Sequence, residues 1–441
     1  MSVPGRPTRI LVLGGGFGGV YTTVHLQRLF RRDPDVRITL VDRDNFFLMT
    51  PLLFEAGSGV LEPRHTVTPI RTLLDKAHFV EADVERVDLD AKVAYARHEP
   101  SAKTYAIAYD HVVFSLGGTT NRKLIPGSEH ALTFKTLADA IFLRNRIIDL
   151  FEQAEVEADP DRKRRLLTFV VIGAGLVGTE LVGELTEFVD NLTRTYRNIR
   201  REEVKFFLLE AGPKLMPEMD RPLAAYAEKI FHKRGVDIRV STPAKQIEPG
   251  CVHLPDGSTL EAYTIMLVAG VVPSPVLTEL PLDKDRKGRL VVDGTMRSKQ
   301  RPEVWAVGDC ASIPDPSGNP YPPLAQHALR EAKVLAANIV SAVRTPDKPL
   351  KPFVYETLGM LASLGHFRGV GRVFKFRIYG VPAWFVWRTY YLMQMPRWNR
   401  RIRIVVDWTI ALFFRNDVAK LDLFGEPHPA LPKESPSTQS L

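Results

Sequence analysis

The strongest constraint on this chain is a pattern that it carries twice. In the first copy a short apolar stretch, Ile10 to Leu13, runs directly into Gly14-x-Gly16-x-x-Gly19. A segment with apolar residues at Val20, Val24, Leu26, Leu29 and Phe30 follows, and Ile38-Thr-Leu-Val-Asp42 places an acid 23 positions after Gly19. The order is strand, glycine turn, helix, second strand, acid. Gly14 permits a tight turn, Gly16 lets the backbone approach a pyrophosphate, and Gly19 lets helix and strand pack closely, so that an anion meets the positive helix N-terminus. Asp42 is then placed to take ribose hydroxyls. A bare glycine triplet is more often a loop; with both flanks and the acid present it reads as a dinucleotide site.

The second copy is Leu166-Leu-Thr-Phe-Val-Val-Ile followed by Gly173-x-Gly175-x-x-Gly178, with Phe206-Phe-Leu-Leu-Glu210 supplying its acid. Here the acid comes 32 positions after the last glycine, more than the usual 20 or so. A helix extended through Asn191 to Glu203 is expected to absorb the excess. Two dinucleotide sites in one chain have a simple chemical meaning. One holds a flavin adenine dinucleotide, the other a nicotinamide donor, and a hydride passes between them.

At 441 residues the chain exceeds one ordinary core, so several domains are expected. The fold class is α/β, with two Rossmann-like dinucleotide-binding domains and a C-terminal amphipathic region that associates with a membrane. The expected partition is 1–125 and 281–345 for the flavin domain, 126–280 for the nicotinamide domain, 346–425 for the membrane region, and a disordered Pro- and Ser-rich tail from 426 to 441. Cys251 and Cys310 lie 59 positions apart with no Cys-x-x-Cys, which excludes a sequence-local dithiol and a cysteine zinc site; no metal is expected. The first residues read as lacking a signal peptide, since Arg9 leads straight into the first strand, and a reducing cytoplasm fits.

The net charge of +8 is unevenly placed: residues 351 to 420 hold 12 Lys and Arg against 3 Asp and Glu. A basic region suggests nucleic acid or an anionic membrane, and the aromatic and aliphatic richness here favours the membrane over nucleic acid. No apolar run of 18 residues spans a bilayer; Ile378 to Met395 comes nearest, interrupted by Pro382 and Arg388. Helices are expected at Ala383 to Met395 and Trp398 to Phe414, lying on the lipid surface with Trp and Phe toward it. Their alternative is a pair of core helices or a dimer interface.

Between these landmarks the chain shows short strands around Phe79 to Val87, Val93 to Arg97 and Ala106 to Tyr109, and a helix from Leu137 to Ala154 followed by a basic turn. Tyr109 to Asn121 is a buried-strand run ending in Gly117 and Gly118, and Val304-Trp-Ala-Val-Gly-Asp309 returns to the first site, where Asp309 offers a carboxylate to a polyol hydroxyl. Pro323 to Val340 has the period of a helix, Phe353 to Phe376 that of short strands.

Taken together, from about residue 8 to 420, these residues resemble the type II NADH:quinone oxidoreductases, single-chain membrane-surface flavoproteins of the glutathione-reductase-like fold. The resemblance assigns Gly14, Gly16, Gly19, Asp42, Gly117 and Asp309 to the flavin, and Gly173, Gly175, Gly178 and Glu210 to NADH. It also matches Glu180 to the family's glutamate near the two reacting rings, orienting the nicotinamide or assisting proton delivery. It implies FAD as cofactor, NADH as substrate, two-electron transfer to a quinone without proton pumping, and a peripheral place on the cytoplasmic face of a membrane. A homodimer joined through the C-terminal region is also implied.

The family's quinone signature is Ala-Gln-x-Ala-x-Gln, and this chain reads Ala325-Gln-His-Ala-Leu-Arg330. Gln326 is kept as the quinone-site candidate. Arg330 replaces an amide that donates and accepts with a donor-only cation, which leaves the quinone class open. Two neighbouring readings share much of this pattern. A sulfide:quinone reductase needs a cysteine pair flanking the flavin; a soluble reductase of a protein electron carrier has no need of the aromatic, basic C-terminus. A nucleotide-sensing membrane protein would share the motifs without the turnover.

Overall fold

The computed structural model describes residues 6–357, 359–415 and 417–421. They group into two units: Met1–Leu48, Val67–Thr119 and Val271–Glu356 in the first, and Met49–Thr66, Thr120–Gly270 and Thr357–Leu441 in the second. The tail from residue 426 lies outside the described residues. The helices in chain order are α1 (Phe17–Leu29), α2 (Leu53–Gly57), α3 (Leu137–Val156), α4 (Pro160–Leu166), α5 (Leu176–Thr193), α6 (Arg221–Lys233), α7 (Ala325–Arg344), α8 (Gly380–Gln394) and α9 (Trp398–Phe413).

A five-stranded sheet forms the centre of the first unit, in the order Val304–Ala306, His111–Phe114, Thr8–Leu13, Val36–Asp42, His78–Glu81. All its pairings are parallel. A parallel sheet is covered on both faces, so its strands need apolar residues throughout, and Ile10 to Leu13 are accordingly all buried. The order reverses between Thr8–Leu13 and His111–Phe114, with Leu13 opposite Phe114. Ligands bind at such a switch point, beyond the carboxyl ends of the strands. Helices α1 and α7 pack together, and the expected short strands form an antiparallel sheet of Asp83–Asp88, Val93–His98 and Lys103–Ala108.

The second unit repeats the device. Its parallel sheet runs Val236–Arg239, Lys205–Leu209, Thr168–Ile172, Thr264–Leu267, reversing between the last two. The region expected to be a basic turn is helix α4, started by Asp159, whose side chain accepts from Asp161 N, and by Pro at the first turn, where its missing N–H is no loss. The expected extension of α5 does not form. The helix ends at Thr193, because α3 captures the residues beyond it: Tyr196 donates to Glu152 at 2.9 Å and the Asn198 N–H to Glu155 at 3.0 Å. Turns and the short 3-10 helix Arg201–Glu203 take up the long spacing to Glu210.

The C-terminal residues of this unit build a three-stranded antiparallel meander, Gly359–Ser363, Gly369–Val373 and Phe376–Tyr379, then α8 and α9. Two aromatics expected to face lipid are inside: Trp384 and Trp387 of α8 are 2% and 1% exposed. On α9, Ile404 and Trp408 turn inward, while Ile402, Val405, Val406, Ile410, Leu412 and Phe413 remain exposed. Among the described residues no helix is long and apolar enough to cross a membrane.

Candidate active site

The glycine turn of the first unit is held by close backbone contacts. Gly14 has a φ of +105°, and a Cβ there would lie 2.3 Å from the Ser115 carbonyl oxygen. A Cβ on Gly19 would lie 1.8 Å from the Gly14 carbonyl oxygen, so neither position tolerates a side chain. Gly16 is different: nothing lies within 4 Å of where its Cβ would be. It caps α1 with no side-chain hydrogen bond to the helix's first N–H groups. Open space over uncapped N–H donors fits the pyrophosphate of a dinucleotide.

Asp42 latches this turn. Its carboxylate accepts from the Gly15 N–H and, at 2.8 Å, from the Asp44 N–H, and burial pushes its pKa up to about 6. Each oxygen keeps a lone pair for a ribose hydroxyl. Gly117, at φ +62°, also faces open space. Asp309 sits in the Gly308–Cys310 turn, and the Gly308 N–H donates to Glu331 Oε2 at 2.9 Å. Burial raises Glu331 to about 7. Gly14, Gly16, Gly19, Asp42, Gly117 and Asp309 thus gather at the carboxyl edge of one sheet, and the flavin dinucleotide fits there.

In the second unit the same geometry recurs with different residues. Gly173 has φ +108°, and a Cβ on Gly178 would lie 1.8 Å from Gly173 O. Glu210 does what Asp42 does: its two oxygens accept from the Ala174 and Gly212 N–H groups, both at 2.8 Å. One feature has no counterpart in the first turn. The exposed Glu218 carboxylate stands 3.0 Å from the Cβ position of Gly175, an anion at the mouth of an anion site. Lys214 donates to the Met219 carbonyl at 3.2 Å.

Glu180, on the second turn of α5, is buried and accepts from the Ser363 N–H at 3.0 Å and from Trp387 Nε1–H at 2.9 Å. Burial pushes its pKa to about 8. The helix can come this near because Gly183 lacks a side chain: a Cβ there would lie 2.7 Å from the Leu364 carbonyl carbon. Around Glu180 the structure assembles residues that sequence reasoning missed. Glu184, one turn on, is hydrogen-bonded to the hydroxyls of Ser363 and Ser58. Glu55 of α2 binds Arg388 of α8 and accepts from Trp408 Nε1–H of α9 at 2.6 Å. Two sequence signals existed: an acid in the otherwise apolar run 46–57, and a second Glu four positions after Glu180 on one helix face.

Gln326 lies in the first turn of α7, whose Ala328 would meet a Gly308 Cβ at 3.6 Å, against the Asp309 turn. Its side-chain oxygen accepts from Tyr355 OH at 3.4 Å, and its carbonyl takes Arg330 Nη1–H at 2.7 Å. The Arg330 guanidinium lies over the Tyr355 ring at 4.5 Å. His327, considered as a proton donor by type, is buried, its Nδ1 on the Pro322 carbonyl, and burial lowers its pKa. Asn338, which suited the quinone signature by position, tethers Lys351 through both N–H and carbonyl and also donates to Thr295. Cys310 donates its thiol to the Phe114 and Val307 carbonyls, and burial raises it to about 12. Cys251 belongs to a small antiparallel sheet in the other unit, and both thiols are free.

Comparison with known proteins adds the family. Residues 8–332 match the family model for pyridine nucleotide-disulphide oxidoreductases. The chain is 30% identical over 417 residues to a probable NADH dehydrogenase of Dictyostelium discoideum, covering 93% of this chain and 91% of that one. It is 30% identical over 385 residues to the type II NADH:quinone oxidoreductase of Staphylococcus aureus, covering 86% and 92%. NDH2 from Plasmodium falciparum, solved in complex with NADH, superposes with a TM-score of 0.87 at 18% identity, over 94% of this chain and all of that one. The sulfide:quinone oxidoreductase of Aquifex aeolicus reaches 0.67 at 20% identity, over 92% and 95%. With two latched glycine turns in its structure and near-full-length relatives of one kind, the chain belongs to the type II NADH:quinone oxidoreductases, within the pyridine nucleotide-disulphide oxidoreductase family.

Proposed function

We propose that this protein oxidises NADH and reduces a membrane quinone by two electrons, without pumping protons. The observation that carries the reading is the duplicated turn. Asp42 and Glu210 each hold the N–H that follows the first glycine of their own motif, so the chain has two separate dinucleotide cradles. FAD, bound in the first, supplies two-electron chemistry between a hydride donor and a quinone. The roles of this chain's residues follow from their chemistry. Gly16 and the first N–H groups of α1 bind the flavin pyrophosphate, while Asp42 and Asp309 take hydroxyls. Gly175 and the start of α5 bind the pyrophosphate of NADH, with Glu210 on its ribose.

Glu180 orients the nicotinamide or delivers a proton; its pKa near 8 lets it hold one at neutral pH. Reduction of a quinone to a quinol by one hydride needs one further proton. Gln326 offers an amide to a quinone oxygen, beside Arg330 and Tyr355. The sulfide reading is not favoured: the Cys310 thiol is sealed by backbone carbonyls and the relatives are NADH dehydrogenases. Aerobic turnover of NADH with quinones of several tail lengths, run in parallel with sulfide, tests this; sulfide-dependent quinone reduction without NADH oxidation overturns it.

The same reading places the protein on the cytoplasmic face of a membrane, as a homodimer. The exposed apolar side of α9, with Trp398 and Phe413 at 73% and 79% exposure, and the local excess of arginine support a lipid surface, each Arg near anionic lipid adding about 1 kcal/mol. Liposomes containing anionic lipid should carry the protein down at low salt and release it at high salt. Failure to sediment sinks the membrane assignment.

A further inference from the structure

Three carboxylates, Glu55, Glu180 and Glu184, are buried together in the second unit with a fourth, Glu187, half-buried beside them, and each has different partners. Glu55 has a cation: Arg388 donates to its Oε1 from Nε and Nη2 at 2.9 and 2.7 Å. Glu187 has a cation too, Arg234, and accepts from the His366 N–H at 2.8 Å. Glu180 has two N–H donors, from Ser363 and Trp387. Glu184 is held, among the described residues, by hydroxyls, with Ser363 Oγ 3.2 Å from its Oε1 and Ser58 Oγ 3.3 Å from its Oε2.

That difference in partners decides where a proton can sit. An N–H can only donate, so the two donors on Glu180 hold its Oε1 as an acceptor and leave any proton it carries to Oε2. A hydroxyl accepts as well as donates. Ser58 Oγ–H has the Glu55 carbonyl to donate to at 3.2 Å, which frees its lone pairs for an O–H of Glu184, and Ser363 Oγ takes the Gly365 N–H at 3.3 Å. The network is satisfied when Glu184 carries the proton. Glu180 and Glu184 are also i and i+4 on one helix, where like charges repel, and the repulsion is strong in a dry interior.

We propose that Glu184 is a positioning residue for the reaction: a neutral carboxyl, its proton accepted by Ser58, which fixes Ser363 by its hydroxyl so that the Ser363 N–H stays seated on Glu180 with no charge on Glu184 one helical turn away. The inference rests on the reading of Glu180 given above. Ser363 is the joint, since one residue holds Glu180 through its N–H and Glu184 through its hydroxyl. The charged groups facing Glu184 are Glu55 and Arg388 from α2 and α8, and Glu180 and Glu187 from its own helix. Burial and the nearby Glu55 and Glu187 carboxylates raise its pKa to about 8, against a lowering by Arg388.

The test uses the full-length flavoprotein. In the infrared, the parent shows the carbonyl stretch of a neutral carboxylic acid at pH 7, and Glu184→Gln loses one such band; loss of carboxylate bands alone overturns the proposal. The limb of the pH–rate profile that reports Glu180 stays within about 0.3 pH unit in Glu184→Gln, because one neutral group replaces another. A fall of roughly one unit, the shift a removed neighbouring charge produces, shows that Glu184 was ionised and overturns it. Glu184→Ala, which releases Ser363, lowers kcat by roughly tenfold or more with flavin content kept, and Glu184→Gln restores it to within about threefold. If the alanine variant matches the parent, Glu184 positions nothing. Ser363→Ala, which keeps the N–H and removes only the hydroxyl, gives the same loss in milder form and serves if Glu184→Ala does not fold. Glu180→Gln separates the two readings: full activity there removes the role of Glu180, while the infrared result on Glu184 stands.

Discussion

Glu55 and Arg388, 333 positions apart, form an ion pair sealed from solvent, with side chains 1% and 6% exposed. The guanidinium lies between two indoles, 3.9 Å from the Trp384 ring centre and 4.7 Å from that of Trp408. The second oxygen of Glu55 takes the Trp408 N–H. One carboxylate therefore holds both C-terminal helices to α2.

Removing one partner of a buried pair leaves the other charged in an apolar setting, so Glu55→Ala should destabilise the protein by roughly 3–5 kcal/mol. Trp408→Phe, which removes one hydrogen bond to a charged group, should remove about 1.5–3 kcal/mol. Denaturant unfolding of the two variants, with Glu55→Ala/Arg388→Met beside them, checks this. The double variant should recover much of the loss, since it strands no charge.

The flavin cradle makes a second prediction. Gly16→Val should give a folded but colourless protein, since the side chain fills the one open position of the turn. Asp42 adds a pH dependence. Its folded-state pKa of about 6 lies above that of an exposed Asp, so this group alone withdraws stability as pH rises from about 4 to about 6. Ribose hydroxyls need the ionised form as acceptor, so flavin retention should weaken as pH falls through about 6. Flavin fluorescence released at pH 7.5 and at pH 5 measures it.

Nucleotide choice depends on two acids in the second cradle. With Glu210 on the ribose of NADH, as proposed, its charge would oppose the 2′-phosphate of NADPH, so NADH should be preferred and Glu210→Gln should relax the preference. Glu218, 3.0 Å from the Gly175 Cβ position, should repel a pyrophosphate seated there as proposed. Glu218→Gln should lower KM for NADH by roughly two- to fivefold, about 0.4–1 kcal/mol of relieved repulsion, a size typical of an exposed charge pair, with kcat unchanged. An unchanged or raised KM counts against this.

Quinone reduction should depend on Gln326 more than reduction of a small artificial acceptor does. Gln326→Ala should lower kcat/KM for quinone by roughly tenfold, about the 1.4 kcal/mol of one good hydrogen bond, and leave the artificial acceptor untouched. Equal losses with both acceptors would show that the residue only supports α7. Arg330→Gln should alter quinone preference with flavin content intact.

Both cradles were legible in the sequence because a glycine spacing, a strand and an acid are local, and their geometry follows from backbone sterics at Gly14, Gly19, Gly173 and Gly178. The shortfall of α5 was not legible: Tyr196 and Asn198 leave the helix for Glu152 and Glu155, partners over 40 positions away. The C-terminal aromatics misled for a related reason. Trp384, Trp387 and Trp408 have the composition of a lipid-facing surface, and only the distant Glu180 and the Glu55–Arg388 pair show that the N–H groups of Trp387 and Trp408 and the ring face of Trp384 serve the interior. Glu184 gave a helical spacing but no hint of its two serines, one from residue 58 and one from residue 363.

The reach of Glu55 across the sequence also sets a timetable for biosynthesis. Trp408 lies 353 positions later, and a ribosome adding 5–20 residues per second reaches it roughly 20–70 s after Glu55 is made. Until Arg388 is made, 333 positions on, the acid has neither its arginine nor its indole, and α2 cannot bury it at low energy. A nascent chain held at Lys351 has every glycine of both cradles yet leaves Glu55 without its cation and Glu180 without Ser363 and Trp387. Assembly of the second unit thereby waits until α8 and α9 have emerged, when Glu55 gains its arginine and its indole and Glu180 its two N–H donors.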